Sequence, residues 1–517
     1  MKKKINHILP ALVLTASLGL TTVSCNGFLD EMPDNRTELN TDQKIAKLLV
    51  SAYADVSPNE LFELYSDNSD DSGPTYGYYK LSEQECYHWQ DTKEEYQDTP
   101  NSLWGGYYSA IAAANMALNA IEEKGNPASL DPQRGEALVC RAYCHFMLAN
   151  IFCNAYDTHA SQSLGVPYME EVETTVSPRY ERGTLEEVYR KVERDLLEGI
   201  DLISDDSYSV PKYHFTRKAA YAFAARFYLY YMKPDFSNCD RVIDFATRVL
   251  GTNPADLLRN WEALGNLSVN GNVQADAYIA SSNEANLLIS STVSNWGAIG
   301  SDYLIGPRYF HNQTLATSET CLSSGLWGSS DYFYLKPFST NGFVASILRK
   351  SGLYEGTYLY YMPVLFSTDE TLLCRAEAYA LKKMYAQSAA DITSWQRAYT
   401  RNKSVLTPEQ INTYYDRMSF YTPFTQQTPK KKLAPDFTIE EGIQENFIHC
   451  ILHIRRITTL HEGMRWPDIK RYGILIYRRD MANQRVTDEM PPNDLRYAIQ
   501  IPRSVIVAGI QPNPRRN

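Results

Sequence analysis

Beyond its first two dozen residues the 517-residue sequence has no apolar run of membrane-spanning length, and Phe343–Leu348 is typical of its short ones. A spanning helix takes roughly 20 apolar residues, so the body of the chain is expected outside the bilayer. Clustered basic charge is missing too. Lysine and arginine number 50 against 61 aspartates and glutamates, a net charge of −11. That balance argues against nucleic acid, whose phosphates reward basic clusters, and against an anionic membrane surface. Cysteine is scarce, nine in all, with no C-x-x-C pair. A disulfide scaffold is therefore not expected. Cys140 and Cys144, four apart in a helical pattern beside His145, lack two further ligands at zinc spacing and read as small core residues.

The usual short signatures of catalysis are absent as well. There is no G-x-S-x-G, H-E-x-x-H, G-x-x-x-x-G-K-[ST] or G-x-G-x-x-G, and His461-Glu462 lacks a second histidine. Asp67, Ser69, Asp71 and Gly73 outline a calcium loop only loosely. The glycine comes one place late, and no glutamate stands at the closing position. Carboxylates are too numerous to nominate a glycosidase pair by sequence. No catalytic residue, metal or cofactor is nominated.

What is present begins with an export signal over residues 1–24. Lys2, Lys3 and Lys4 lead a mostly apolar run, Ile8–Leu20, and small residues precede Cys25. A signal ending this way resembles a bacterial lipobox, so Cys25 is expected to be acylated, although Thr22 stands where leucine is usual. Removal of 1–24 takes away three lysines and no acid, moving the charge from −11 to −14.

Helical periodicity dominates the rest of the chain. Tyr189, Val192, Leu196, Ile200 and Ile203 form one apolar stripe, and Ala220, Phe223, Ala224, Phe227 and Tyr231 another, with Thr216 as N-cap. Residues 105–123, 133–153, 239–250, 367–382, 387–400 and 441–466 read the same way. Short turns join several into pairs, which suggests a helical-repeat scaffold. Two stretches interrupt it, about 63–100 and 251–365, rich in Asn, Ser, Gly and Tyr. Long loops of this kind often carry function.

The chain holds 38 tyrosines and 7 tryptophans. Such rings offer an apolar body and a polar tip, which suits the C–H faces and hydroxyls of sugars. Tyr78, Tyr87, Trp89, Trp296, Tyr303 and Trp327 are the expected ligand contacts, with Tyr76, Tyr79 and Tyr332 as further loop candidates. The competing reading is that these rings pack the loops onto the core.

Several motifs resemble the SusD/RagB family of Bacteroidetes outer-membrane lipoproteins. Cys25 precedes Phe28-Leu29-Asp30 and Pro33. Trp104, Tyr108, Ile111 and Asn115 are similar to one family helix; Glu136, Ala137, Arg141, Ala142 and Phe146 to the next; Leu373, Arg375, Ala376, Glu377 and Ala378 to a later one. The most specific piece is "EGMRWPDIKRYG", 462–473, and "AIQIPRSVIVAGIQPNP" resembles the closing segment. The 462–473 motif reads as a structural lock: Arg465 and Asp468 pairing with neighbouring helix ends, Trp466 filling a core gap, Gly473 as a C-cap. Pro467 stands where an aromatic is common and is expected to bend the chain.

The resemblance implies a mainly all-α fold, tetratricopeptide-like helix pairs in a right-handed α-α superhelix with loop-rich insertions. The expected organisation is a signal at 1–24, a tether at 25–40 and one domain at 41–517. The implied function is non-catalytic: an outer-membrane lipoprotein, facing the cell exterior, captures an oligosaccharide or polysaccharide and passes it to a SusC-like TonB-dependent transporter. The alternatives are a peptide-binding relative, a helical scaffold without small ligand, and a surface glycosidase.

Overall fold

The computed structural model describes residue 39 and residues 41–515 except 76–78, 176–178, 269–272, 300–307, 323–324, 336–351, 356–357 and 482. Cys25, the signal at 1–24, Tyr76, Tyr78, Tyr303 and Phe343–Leu348 lie outside the described residues.

The longer helices fall where the apolar stripes place them, whereas those at 42–48, 59–65, 81–87 and 408–417 lie outside the expected stretches. They are α1 Asp42–Leu48, α2 Asn59–Tyr65, α3 Leu81–Tyr87, α4 Pro100–Glu123, α5 Asp131–Phe152, α6 Leu185–Leu202, α7 Arg217–Tyr230 and α8 Ser237–Leu250. After the loop-rich middle come α9 Thr368–Leu381, α10 Tyr385–Tyr399, α11 Pro408–Arg417, α12 Ile443–Thr458 and α13 Arg465–Tyr472. Several starts have a clear chemical cause. Thr184 and Glu187 form a reciprocal capping box on α6, while Thr216 and Ser367 accept backbone N–H groups at the starts of α7 and α9. The stripes then bury: Tyr189, Val192, Leu196, Phe223 and Phe227 are all in the core.

Sequential helices pack side by side, α4 on α5, α5 on α6 and α7 on α8; α9 then joins α8, α10 and α12. The α5–α6 approach is close because Gly135 and Gly199 meet. A Cβ on Gly135 would lie 2.8 Å from the Gly199 carbonyl oxygen.

Between α8 and α9 short helices and strands replace the expected featureless loop. Antiparallel strands Asn286–Ile289 and Val364–Ser367 lead the chain into α9. Asp70–Asp71 pairs with Tyr309–Phe310, tying the first loop-rich stretch to the second. A hairpin, Ile476–Asp480 with Arg485–Met490, and the helix α11 were not apparent in the sequence pattern.

The 462–473 motif is indeed a lock. Arg465 donates to both oxygens of Asp67 at 2.7 and 2.9 Å, and Lys431 donates to the same carboxylate at 2.6 Å. Burial alone would push the Asp67 carboxyl up; Arg456, Arg465 and Lys431 outweigh it and hold it well below the usual range. Asp468 accepts from Arg455 at 3.0 Å and from Arg471 at 2.6 Å, and Arg471 also reaches Glu377 at 2.8 Å. Trp466 is fully buried, and Gly473 caps α13 in the left-handed region. A Cβ there would lie 2.2 Å from the Ala434 carbonyl oxygen, so only glycine fits. The helix expected over 441–466 divides instead, ending at Thr458 and resuming at Arg465. The expected bend at Pro467 is corrected accordingly. Pro467 sits in the first turn of α13, where the missing N–H has no helical partner to lose.

Candidate functional site

Four of the six nominated rings lie in the interior. Trp89 is 4% exposed, donates Nε1–H to the Tyr65 carbonyl at 2.9 Å, and lies under the Arg478 guanidinium. Trp296 donates to the His461 carbonyl at 2.8 Å and packs with Phe310 and Tyr361. Trp327 is completely buried against Trp395 and His453. Tyr87 stacks on Tyr309 at 4.6 Å, its hydroxyl reaching Asp70 and accepting from the Asp71 backbone. In this structure none of these four presents a face to solvent. A backbone carbonyl meets the indole N–H of Trp89 and of Trp296, while Trp327 is buried by ring packing with its Nε1 unpartnered. Tyr78 and Tyr303 lie outside the described residues.

Other loop tyrosines remain at the surface: Tyr79 at 38%, Tyr96 at 37% and Tyr332 at 45% exposure. Tyr79 belongs to a built patch. The pairing of Asp71 with Tyr309 brings Arg308 beside Asp71, and the guanidinium donates to both carboxylate oxygens at 2.7 and 2.8 Å. Arg308 thereby lies 5.0 Å from the ring centres of both Tyr79 and Tyr309. The Tyr79 ring meets Tyr309 edge-on at 5.6 Å, and Tyr309 rests on the buried Tyr87. His88, half-buried, approaches Tyr309 at 6.0 Å. Burial, then the charge of Arg478, lowers the His88 pKa, so its ring is neutral at pH 7 and offers one donor and one acceptor. The result is one exposed ring, Tyr79, beside the part-buried Arg308 and His88 and over the buried Tyr309, on a foundation fixed by strand pairing. The Asp71–Arg308 and Asp67–Arg465 pairs also occupy the two carboxylates that suggested a calcium loop.

A second opening, a groove of about 700 Å³, lies between Leu326, Ser404 and Leu406 and the Glu409, Tyr414 and Arg417 side of α11. The sequence pattern gave no sign of it because it gave none of α11. Cys140, Cys144 and the six other described cysteines are buried and unpaired. Among the described residues no three His, Cys, Asp or Glu side chains are grouped to hold a metal, and no helix is long and apolar enough to cross a membrane.

Residues 27–229 match the family model SusD-like_3, described as "Starch-binding associating with outer membrane". Solved structures with the same fold include a SusD superfamily protein from Bacteroides vulgatus, 18% identical, with a TM-score of 0.61 over 92% of this chain and 98% of that one. A SusD superfamily protein from Bacteroides fragilis, 15% identical, has a TM-score of 0.62 over 91% and 98%. A SusD-like carbohydrate binding protein from Bacteroides vulgatus, 14% identical, has a TM-score of 0.60 over 90% and 96%. No curated protein gives a significant match. The chain thus has the fold of SusD superfamily structures, and its residues 27–229 carry the SusD-like_3 signature.

Proposed function

We propose that this protein binds carbohydrate for uptake at the bacterial outer membrane and passes it, chemically unchanged, to a SusC-like TonB-dependent transporter. Lipid on Cys25 would anchor it there, facing the cell exterior. The family description and the sugar-binding relative support the carbohydrate class. The observation that carries the reading is the patch of Tyr79, Tyr309, Arg308 and His88. An exposed ring can lie flat on a sugar face, while the neighbouring imidazole and guanidinium edge reach hydroxyls. Arg308 is already committed to Asp71, so within the patch it is not free to take a peptide carboxylate. That favours a hydroxyl-rich, uncharged ligand over a peptide.

The test is calorimetric titration of the protein against a panel of oligosaccharides, repeated with Tyr79→Ala. The variant is expected to bind its glycan about tenfold more weakly, in line with about 1.4 kcal/mol, the upper end for a stacked ring. Wild-type affinity in Tyr79→Ala would remove the patch from the reading. Released reducing sugar would overturn the non-catalytic part. A Cys25→Ser protein that stays in the membrane fraction would overturn the anchor.

A further inference from the structure

The first loop-rich stretch is tied down at one unusual place. Glu60 on α2 and Asp98, just before α4, are buried to 4% and 7% exposure, and their carboxyl groups lie within hydrogen-bonding reach of each other. Glu60 Oε2 and Asp98 Oδ1 are otherwise left without a partner in the interior. Two carboxylates facing each other in a dry site repel, and each bare oxygen carries a desolvation cost. One proton held between them removes both penalties, with the acid donating to the remaining anion.

The surroundings do not supply enough positive charge to do this another way. From the loop comes Lys80, whose ammonium lies over the Tyr96 ring and makes no hydrogen bond. From α3 come Glu83, pushed up to about 6 chiefly by burial, and the Cys86 thiol, raised by burial and then by Glu60. Glu94 is engaged by the Tyr96 hydroxyl and the Ser82 N–H. From the segment opposite come only neutral groups. The Asn295 N–H donates to Asp98 Oδ2 at 2.9 Å, and the Ser294 hydroxyl faces the same carboxyl. One lysine thus faces four carboxyl groups, Glu60, Asp98, Glu83 and Glu94.

We propose that Glu60 and Asp98 share a single proton, and that this proton is a pH-sensitive latch fastening residues 79–98 to α2 and to 294–296. Asp98 sits at φ +66°, in the left-handed region, and is held there by its bonds to Glu60 and the Asn295 N–H. Loss of the proton leaves two anions in contact. The segment bearing Tyr79 and Tyr96 then opens, and Trp296, whose backbone N–H donates to the Ser294 hydroxyl, loses that one fastening. Burial raises both carboxyls above their values in the unfolded chain. The latch therefore contributes fully at pH below the ordinary carboxylate range, and its contribution is lost as pH rises through the titration of the folded pair.

The experiment is hydrogen–deuterium exchange of residues 79–98 in the full chain over a pH series, as protection factors corrected for intrinsic exchange. Above the titration of the pair, local opening in the wild type should grow up to about tenfold per pH unit, the signature of one proton. In Glu60→Gln the amide donates to Asp98 at every pH, and in Asp98→Asn the second charge is gone, so both should be flat. If one variant folds poorly, the other still decides. A wild-type slope that persists in both variants, or a wild type with no slope, overturns the latch. Glycan affinity measured over the same series bears separately on the Tyr79 patch. The latch stands on exchange alone, whereas affinity that ignores a proven opening removes Tyr79 from the binding reading.

Discussion

Two assemblies in this molecule use nearly the same side chains for opposite ends. The lock at 462–473 combines Arg465, Asp67, Asp468 and Trp466; the surface patch combines Arg308, Asp71, Tyr79 and Tyr309. In the lock every member is buried and each charge is answered by another. In the patch the ion pair is the foundation and Tyr79 is left 38% exposed. Residue type therefore does not separate structure from function here. What separates them is whether, after every neighbour has been satisfied, a face is still offered to solvent.

The comparison breaks most visibly at Asp67. Its carboxylate answers Arg465 and Lys431 directly and lies 3.7 Å from Arg456. Asp67→Ala leaves Lys431 and Arg456 to Glu319 and takes away the ion-pair partner of Arg465. Removal of one partner from a buried network costs about 3–5 kcal/mol, which denaturant unfolding should register as a lowered midpoint. A loss under about 1 kcal/mol would mean the lock is wet rather than sealed.

Next in size is Trp327→Ala. If the ring is packing, as its complete burial against Trp395 indicates, stability falls by about 3 kcal/mol. Glycan affinity per folded molecule should then stay unchanged. A variant with wild-type stability and lost binding would return Trp327 to the ligand surface.

These two residues also show how far the sequence could be read. The lock was legible because its parts are local and patterned: an arginine, an aspartate and a tryptophan on one short helix with a glycine after it. The helical stripes were legible for the same reason. The partners of the lock were not, because Asp67 is 398 residues from Arg465. The patch failed for the complementary reason. Loops announce aromatic content but not which ring a passing carbonyl will capture. Trp89 and Trp296 were drawn inward by the Tyr65 and His461 carbonyls, whereas Tyr79 and Tyr332, the less prominent candidates, stayed outside. Strand pairing between Asp70–Asp71 and Tyr309–Phe310, which builds the patch, joins two-residue segments too short to leave a periodic signal.

A smaller effect probes the lock through pH. Lys470 is buried, and its nitrogen donates to the Asn150 and Cys153 carbonyls at 2.9 and 2.6 Å. Burial lowers its pKa to about 7, and a neutral amine has just the two N–H groups those carbonyls need. Between pH 7 and the ordinary lysine range the unfolded chain holds a proton that the folded chain lacks. This residue therefore makes stability rise with pH across that window, by at most about 1.4 kcal/mol per pH unit, and fall back as pH drops toward 7. Lys470→Met should lose that slope. Equal slopes in the two proteins would mean the ammonium stays charged inside.

The smallest stability effect belongs to the patch, and it is the sharpest test of the contrast. Tyr79 lies edge-on to Tyr309, which is already held by Tyr87 beneath. Tyr79→Ala should therefore shift stability by no more than about 0.5 kcal/mol, the range of ordinary surface substitutions. The same change should weaken glycan binding about tenfold. A residue that matters to ligand and not to fold is what an offered face requires. If Tyr79→Ala instead destabilised the protein as Trp327→Ala is expected to, the patch would be one more piece of packing, and the difference between the two assemblies would vanish.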